Sequence, residues 1–216
     1  MTQEIICSNR EGLLLCSDSL VVEERESGER RFHSFRKLYA LGSHAAILSA
    51  GAKIGIDLSI RLAELISQRG VSDVGAVLPL AREFLDREYG RFVEEGRDWF
   101  MSHPDAYRRL YFVIGGYTQG DPDNPVQFYL LSSEDLELPF QVTATGTLLT
   151  MPRRLGFEMK LAGVLPQSSL SDLAGLCLSY LRQLGDKEPD RVGPPYYAAT
   201  VSAEGFRWHA DDGTMI

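Results

Sequence analysis

No window of the 216-residue sequence approaches the run of roughly twenty apolar residues needed to span a bilayer. The first residues lack a basic segment leading into an apolar core, so no secretory signal is expected. Cysteine is scarce: Cys7, Cys16 and Cys177 are odd in number and show no CxxC spacing. They point to buried thiols in a reducing, cytoplasmic setting rather than to a disulfide framework. The histidines His33, His44, His103 and His209 are scattered and form no HExxH pair, so neither a metal site nor a cofactor is expected. No GxxxxGK(S/T) loop and no GxGxxG after a strand is present, which removes the usual nucleotide-binding readings. Basic charge is in deficit, with 22 Lys and Arg against 30 Asp and Glu and a net charge of −8. Nucleic-acid phosphates and an anionic membrane are therefore excluded as main partners. The pairs Arg30-Arg31, Arg108-Arg109 and Arg153-Arg154 read as solvated faces or subunit contacts.

What is present suits one well-buried domain spanning residues 1–216. Two short apolar runs, residues 3–8 and 12–17, flank Asn9-Arg10-Glu11-Gly12, a hairpin signal. The charged stretch Glu23 to Arg31, with Ser27-Gly28 at its centre, reads as the tip of a second, solvated hairpin. Strands follow at Lys37–Leu41 and Ala45–Ala50. After Gly51 the period changes, and Ile54, Leu58, Leu62, Leu65 and Ile66 share one helical face that Gly70 ends. A second helix runs from about Gly75 to Gly96. Strands are expected at Leu110–Gly116, Val126–Leu131 and Phe140–Thr145, and helices at Pro152–Gly163 and Ser169–Leu184. The last helix takes Ser169 or Ser171 as its cap. Strands near Tyr196–Ser202 and Phe206–His209 close the chain. Such grouped runs suit an α+β architecture in which helices cover packed antiparallel sheets.

The residue that could carry chemistry is Thr2. Were Met1 removed, Thr2 would hold a hydroxyl nucleophile and a free α-amine on one residue. That amine has an ordinary pKa of about 7.7–8.0, so a usable fraction is neutral near pH 7 and can take the hydroxyl proton. Thr2 alone is a one-residue motif. Its weight comes from three further residues: Asp18, sixteen positions on, and Lys37 and Gly51, themselves fourteen apart.

With those spacings, the chain from Thr2 to about Ile66 resembles the catalytic half of proteasome β-type subunits and the related bacterial HslV-type peptidase. The stations are Thr2, Gly12, Asp18, Lys37 and Gly51. The Asp-to-Lys interval is longer by about three residues, in a hairpin-tip segment where length varies at little cost. The resemblance implies a four-layer αββα sandwich, the N-terminal-nucleophile hydrolase fold, with two antiparallel sheets flanked by helices. It implies that Lys37 favours the Thr2 alkoxide and lowers the α-amine pKa, and that Asp18 fixes Lys37. It implies that the Gly51 N–H donates to the oxyanion. Thr147 and Asp190 would stand where the family keeps residues that orient the α-amine. Leu148 and Gly193 depart from its pattern there. Phe35, Ser49 and Lys53 would line the pocket before the scissile bond, Lys53 favouring acidic or polar side chains.

The activity so implied is that of a threonine-type endopeptidase acting on peptides or unfolded proteins in a homo-oligomeric ring, fed by an ATP-dependent unfoldase. Its looks are nearer to the minimal bacterial relatives than to a processed proteasome subunit. A chain that kept Met1 would lack the base and be inactive. The competing readings are a non-catalytic, ring-forming subunit of the same fold and a small-amide hydrolase.

Overall fold

A computed structural model describes residues 2–24, 28–133 and 140–210. Asn9 turns the chain by accepting the Glu11 amide on its side chain at 2.9 Å, and this joins strands β1 (Glu4–Asn9) and β2 (Gly12–Ser17). Gly12 is required here: its φ is +152°, and a Cβ would lie 2.4 Å from the Val201 carbonyl oxygen. Strands β3 (Leu20–Glu24) and β4 (Arg30–Ser34) pair with each other. The expected tip of their hairpin lies partly at residues 25–27, outside the described residues, as does Met1.

Strands β5 (Leu38–Ala40) and β6 (Ala45–Gly51) lead into helices α1 (Ile54–Arg69), α2 (Val74–Glu95) and the short α3 (Arg97–Met101). Gly70 ends α1 in the left-handed conformation, and Asp73 caps α2 by accepting the Ala76 amide at 3.0 Å. Strands β7 (Leu110–Tyr117), β8 (Val126–Ser132), β9 (Gln141–Ala144) and β10 (Leu148–Met151) follow. Helix α4 (Leu155–Val164), helix α5 (Leu170–Lys187) and strands β11 (Tyr197–Ser202) and β12 (Gly205–His209) complete the order. Ser169, rather than Ser171, caps α5 by accepting the Asp172 amide at 3.1 Å.

The fold is mixed α and β. The expected pair of antiparallel sheets becomes three among the described residues, in the orders β10-β1-β2-β11-β12, β3-β4 and β5-β6-β7-β8-β9. The third sheet arises because β2 does not run on into β3. The Asp18 amide still donates to the Gln3 carbonyl at 3.2 Å, but its inward-turned carboxylate takes the Gln3 amide, and the ladder ends before Leu20. Strand β10, helix α3 and a single 3-10 turn at Asp105–Tyr107 are elements that the residue pattern does not announce.

Three apolar clusters place the layers. Leu58, Leu62 and Ile66 of α1 and Val77, Ala81 and Leu85 of α2 pack on Ile47, Phe112 and Ile114 of the β5–β9 sheet. Leu38, Leu48 and Val113 on that sheet's other face meet Ile6, Leu13 and Leu15 of the β1 sheet. Ile5, Cys7, Leu14 and Cys16, on the far side of β1 and β2, pack against α4 and α5 through Leu161, Leu173 and Cys177. The alternation along β1 thus decides what faces what: even-numbered residues enter the space between the sheets, and odd-numbered ones face α4 and α5.

Candidate active site

Thr2 lies just before β1 and is half-buried. The next residue ties it down. The Gln3 amide donates to Asp18 Oδ1 at 2.9 Å, and the Asp18 amide donates back to the Gln3 carbonyl at 3.2 Å. Asp18 is fully buried and its carboxylate is saturated. Oδ1 also accepts Lys37 Nζ at 3.1 Å, while Oδ2 accepts the Leu20 amide at 3.0 Å and the Gly193 amide at 3.4 Å. Lys37 is 1% exposed, and its ammonium also donates to the Leu20 carbonyl at 2.7 Å. Burial lowers the Lys37 pKa, and Asp18 beside it only partly restores it.

The chain from Lys37 leads on to Gly51. The Ser49 amide donates to the Lys37 carbonyl at 3.1 Å, and Gly51 ends β6 two residues later. Gly51 has a φ of +95°, and a Cβ there would meet the Arg109 carbonyl oxygen at 2.2 Å, so no other residue fits without displacing β7. Ser49 is buried with its hydroxyl unpartnered, and its Cβ faces the first turn of α1 near Gly55. Phe35 and Lys53 are brought together in the open: Lys53 Nζ stands 5.3 Å from the centroid of the partly exposed Phe35 ring.

Two expected residues are not brought to this place. Thr147 is exposed, and its carbonyl accepts the Ser8 amide at 2.9 Å, near the end of β1 remote from Thr2. Because β10 runs antiparallel to β1, pairing Cys7 with Leu148 and Glu4 with Met151, Thr147 is carried away by roughly 20 Å of strand. It is the link after β10 that reaches the start of β1. Gln3 Nε2 donates to the Met151 and Pro152 carbonyls at 3.4 and 3.2 Å, and Arg154 Nε donates to Gln3 Oε1 at 2.9 Å. Arg154 in turn forks onto both Glu188 oxygens at 3.0 Å. Asp190 is exposed on the turn after α5. Its segment arrives through the Gly193 backbone, which binds Asp18 and accepts the Ser19 amide at 3.1 Å.

One group escapes the sequence reading. Glu4 is completely buried on β1, two residues after Thr2, and neither carboxyl oxygen has a hydrogen-bond partner. Desolvation raises its pKa to about 8, Lys37 opposing the shift and Asp18 adding to it. The signal was a lone charge inside the apolar run Glu4-Ile5-Ile6-Cys7. Among the described residues no group of His, Cys, Asp and Glu could hold a metal ion, and the three cysteines are free and buried.

The arrangement is a buried cation held against the entry to β1, with a backbone amide of a constrained glycine at the end of a neighbouring strand. No protein-family model and no curated protein matches the chain. Solved structures do. A Gly-1 mutant of Anbu from Hyphomicrobium sp. strain MC1 superposes with a TM-score of 0.64 at 15% identity, covering 97% of this chain and 86% of that one. Anbu from Yersinia bercovieri, described as an ancestral beta-subunit, gives 0.65 at 13% identity, with 99% and 84% covered. What is shared is the fold. The resemblance to proteasome β-type and HslV-type chains is corrected accordingly, since the structural likeness reported is to Anbu proteins and at this identity does not assign the chain to those families. No helix of the described residues is long and apolar enough to cross a membrane.

Proposed function

We propose that the chain is a subunit of a proteasome-like, self-compartmentalising assembly and acts as a threonine-type peptidase through Thr2. The observation that carries this reading is the buried Lys37–Asp18 pair, tied by the Gln3 amide to the residue that follows Thr2. With everything before Thr2 removed, its α-amine takes the hydroxyl proton as Oγ attacks a peptide carbonyl. Lys37 favours the developing alkoxide, and the Gly51 N–H donates to the oxyanion. The tetrahedral intermediate collapses to an ester on Thr2, the α-ammonium giving its proton to the departing amine. Water, deprotonated by the same amine, then releases the acid and restores Thr2. Lys53 over Phe35 supplies a cation at the mouth of the pocket and favours acidic or polar residues before the scissile bond.

The three stacked apolar clusters support the four-layer αββα arrangement of N-terminal-nucleophile hydrolases. A homo-oligomeric ring fed by an ATP-dependent unfoldase is the assembly this reading implies. The beta-subunit description of the Yersinia bercovieri neighbour supports its subunit character, and the unfoldase follows from the peptidase reading alone.

One observation favours a non-catalytic, ring-forming subunit instead: Thr147 and Asp190 contribute no side chain beside Thr2. Intact mass and peptide hydrolysis separate the two. The peptidase reading expects a chain beginning at Thr2 that cleaves fluorogenic peptides and loses all turnover on Thr2→Ala. A chain beginning before Thr2 that is inert toward peptides supports the scaffold.

A further inference from the structure

The space between the two five-stranded sheets contains a carboxyl group that the proposed mechanism does not use. Glu4 shares the face of β1 that carries Ile6, so its side chain enters the layer formed by Ile6, Leu13, Leu15, Leu38 and Leu48, two residues along the chain from Thr2. Its cross-strand neighbours there are uncharged: Ser17 on β2, whose hydroxyl is also unpartnered, and Met151 on β10. The charged groups acting on it are Lys37, just ahead of β5, and Asp18, just after β2.

Two carboxyl groups therefore compete for one buried cation. Asp18 accepts four donors, including Lys37, whereas Glu4 accepts none. A carboxylate with that many donors keeps its charge, and a desolvated one with none keeps its proton. One ammonium cannot compensate two buried anions, so the pair divides the roles.

Resting on the peptidase reading, we infer that Glu4 is a positioning residue that holds a proton beside Lys37 and sets the alkaline limit of Thr2 reactivity. While Glu4 is neutral, Lys37 and Asp18 balance and the cation's field reaches the Thr2 hydroxyl. When Glu4 gives its proton to solvent, an uncompensated anion appears two residues along the strand from the nucleophile. It opposes formation of the alkoxide and holds the Thr2 α-amine as ammonium, and both effects slow attack. Among the described residues the charged groups acting on Glu4 are Lys37 and Asp18. Lys37 and the Thr2 α-amine also titrate on the alkaline side, so the Glu4 limb is the part of the profile that Glu4→Gln removes.

The test uses full-length protein whose N-terminus has been verified as Thr2. The rate of adduct formation at Thr2 with a peptidyl β-lactone is followed from pH 6 to 10 in the parent and in Glu4→Gln, whose amide cannot ionise. The parent should lose rate through a limb centred near pH 8, and Glu4→Gln should lack that limb. Carboxyl carbon NMR on glutamate-labelled parent protein should show one resonance titrating near the same pH. Profiles of the same shape in both proteins overturn the inference and leave the peptidase reading standing. A spectrum in which every glutamate is already ionised at pH 7 overturns it too, whether or not the variant folds. Absence of any Thr2 adduct in the parent at every pH overturns the peptidase reading and this inference together.

Discussion

Glu4 and Glu88 are buried almost equally, at 0% and 5% exposure, yet they end in opposite charge states. Glu88 lies on α2 and receives Arg61 at 2.6 Å, Arg87 at 3.0 Å and Arg91 at 3.1 Å. Burial pushes its pKa up, but the bonds from Arg61 and Arg87 outweigh that, and the carboxyl titrates below its usual range. Those arginines reach in from solvent, each with about half its side chain exposed, so three cations could be recruited cheaply. Glu4 has no such supply, because Lys37, the cation that acts on it among the described residues, is bonded to Asp18 and to the Leu20 carbonyl. Burial alone does not decide whether a carboxyl is charged; the count of free donors does. A protein tolerates an unserved carboxyl only where something else keeps it, and here it stands beside the candidate nucleophile.

The largest test of this contrast is Lys37→Met. It strands the Asp18 carboxylate in the core with backbone donors alone, and should cost about 3–5 kcal/mol in denaturant unfolding. A loss no greater than that from removing a single Glu88 arginine would erase the distinction between the two sites.

Next comes the pH dependence of Glu4. Its folded pKa is raised from 4.5 to about 8, so the proton-bound form is the one folding favours. That contribution is complete below pH 4.5 and is lost as pH rises toward 8, at about 1.4 kcal/mol per pH unit. Unfolding free energies measured across this window should therefore fall more steeply for the parent than for Glu4→Gln. Equal slopes would mean that Glu4 is charged in the fold.

Glu88 should show the reverse sign. Its folded pKa is depressed, so its contribution is present above the ordinary glutamate value and fades as pH falls through the folded one. Glu88→Gln should remove on the order of 1 kcal/mol near pH 7 and flatten the acid limb of the stability curve. Smallest of all, Arg61→Ala leaves Arg87 and Arg91 in place and should cost about 0.5 kcal/mol. That loss should shrink further at high salt, whereas the Lys37→Met effect should not.

Much of the fold could be read from residue order, for reasons the structure makes plain. The turn at Asn9–Gly12, the stop at Gly70 and the cap at Ser169 are local signals, each resolved by bonds within a few residues. Strand β10 was missed because Leu148-Leu149-Thr150-Met151 is short and carries no alternation, its place being set by pairing with β1. That same pairing explains why Thr147 does not stand beside Thr2: a position carried over along the chain gives no direction, and the antiparallel register puts it at the far end of β1. Asp18 and Lys37 were legible through the Thr2–Asp18 and Lys37–Gly51 intervals, and the pairing expected of them is the contact that Nζ and Oδ1 make at 3.1 Å. Glu4 was not, since its meaning depends on what surrounds it in the layer between the sheets. The Arg154–Gln3 bond was equally hidden, joining residues 151 positions apart.

The most direct measurement of the central claim is to map the adduct of a peptidyl β-lactone by peptide mass spectrometry on protein that begins at Thr2. The account predicts one adduct, on Thr2, absent from Thr2→Ala and strongly reduced in any folded Lys37 variant. An adduct elsewhere in the chain, or equal labelling of Thr2→Ala, would contradict it.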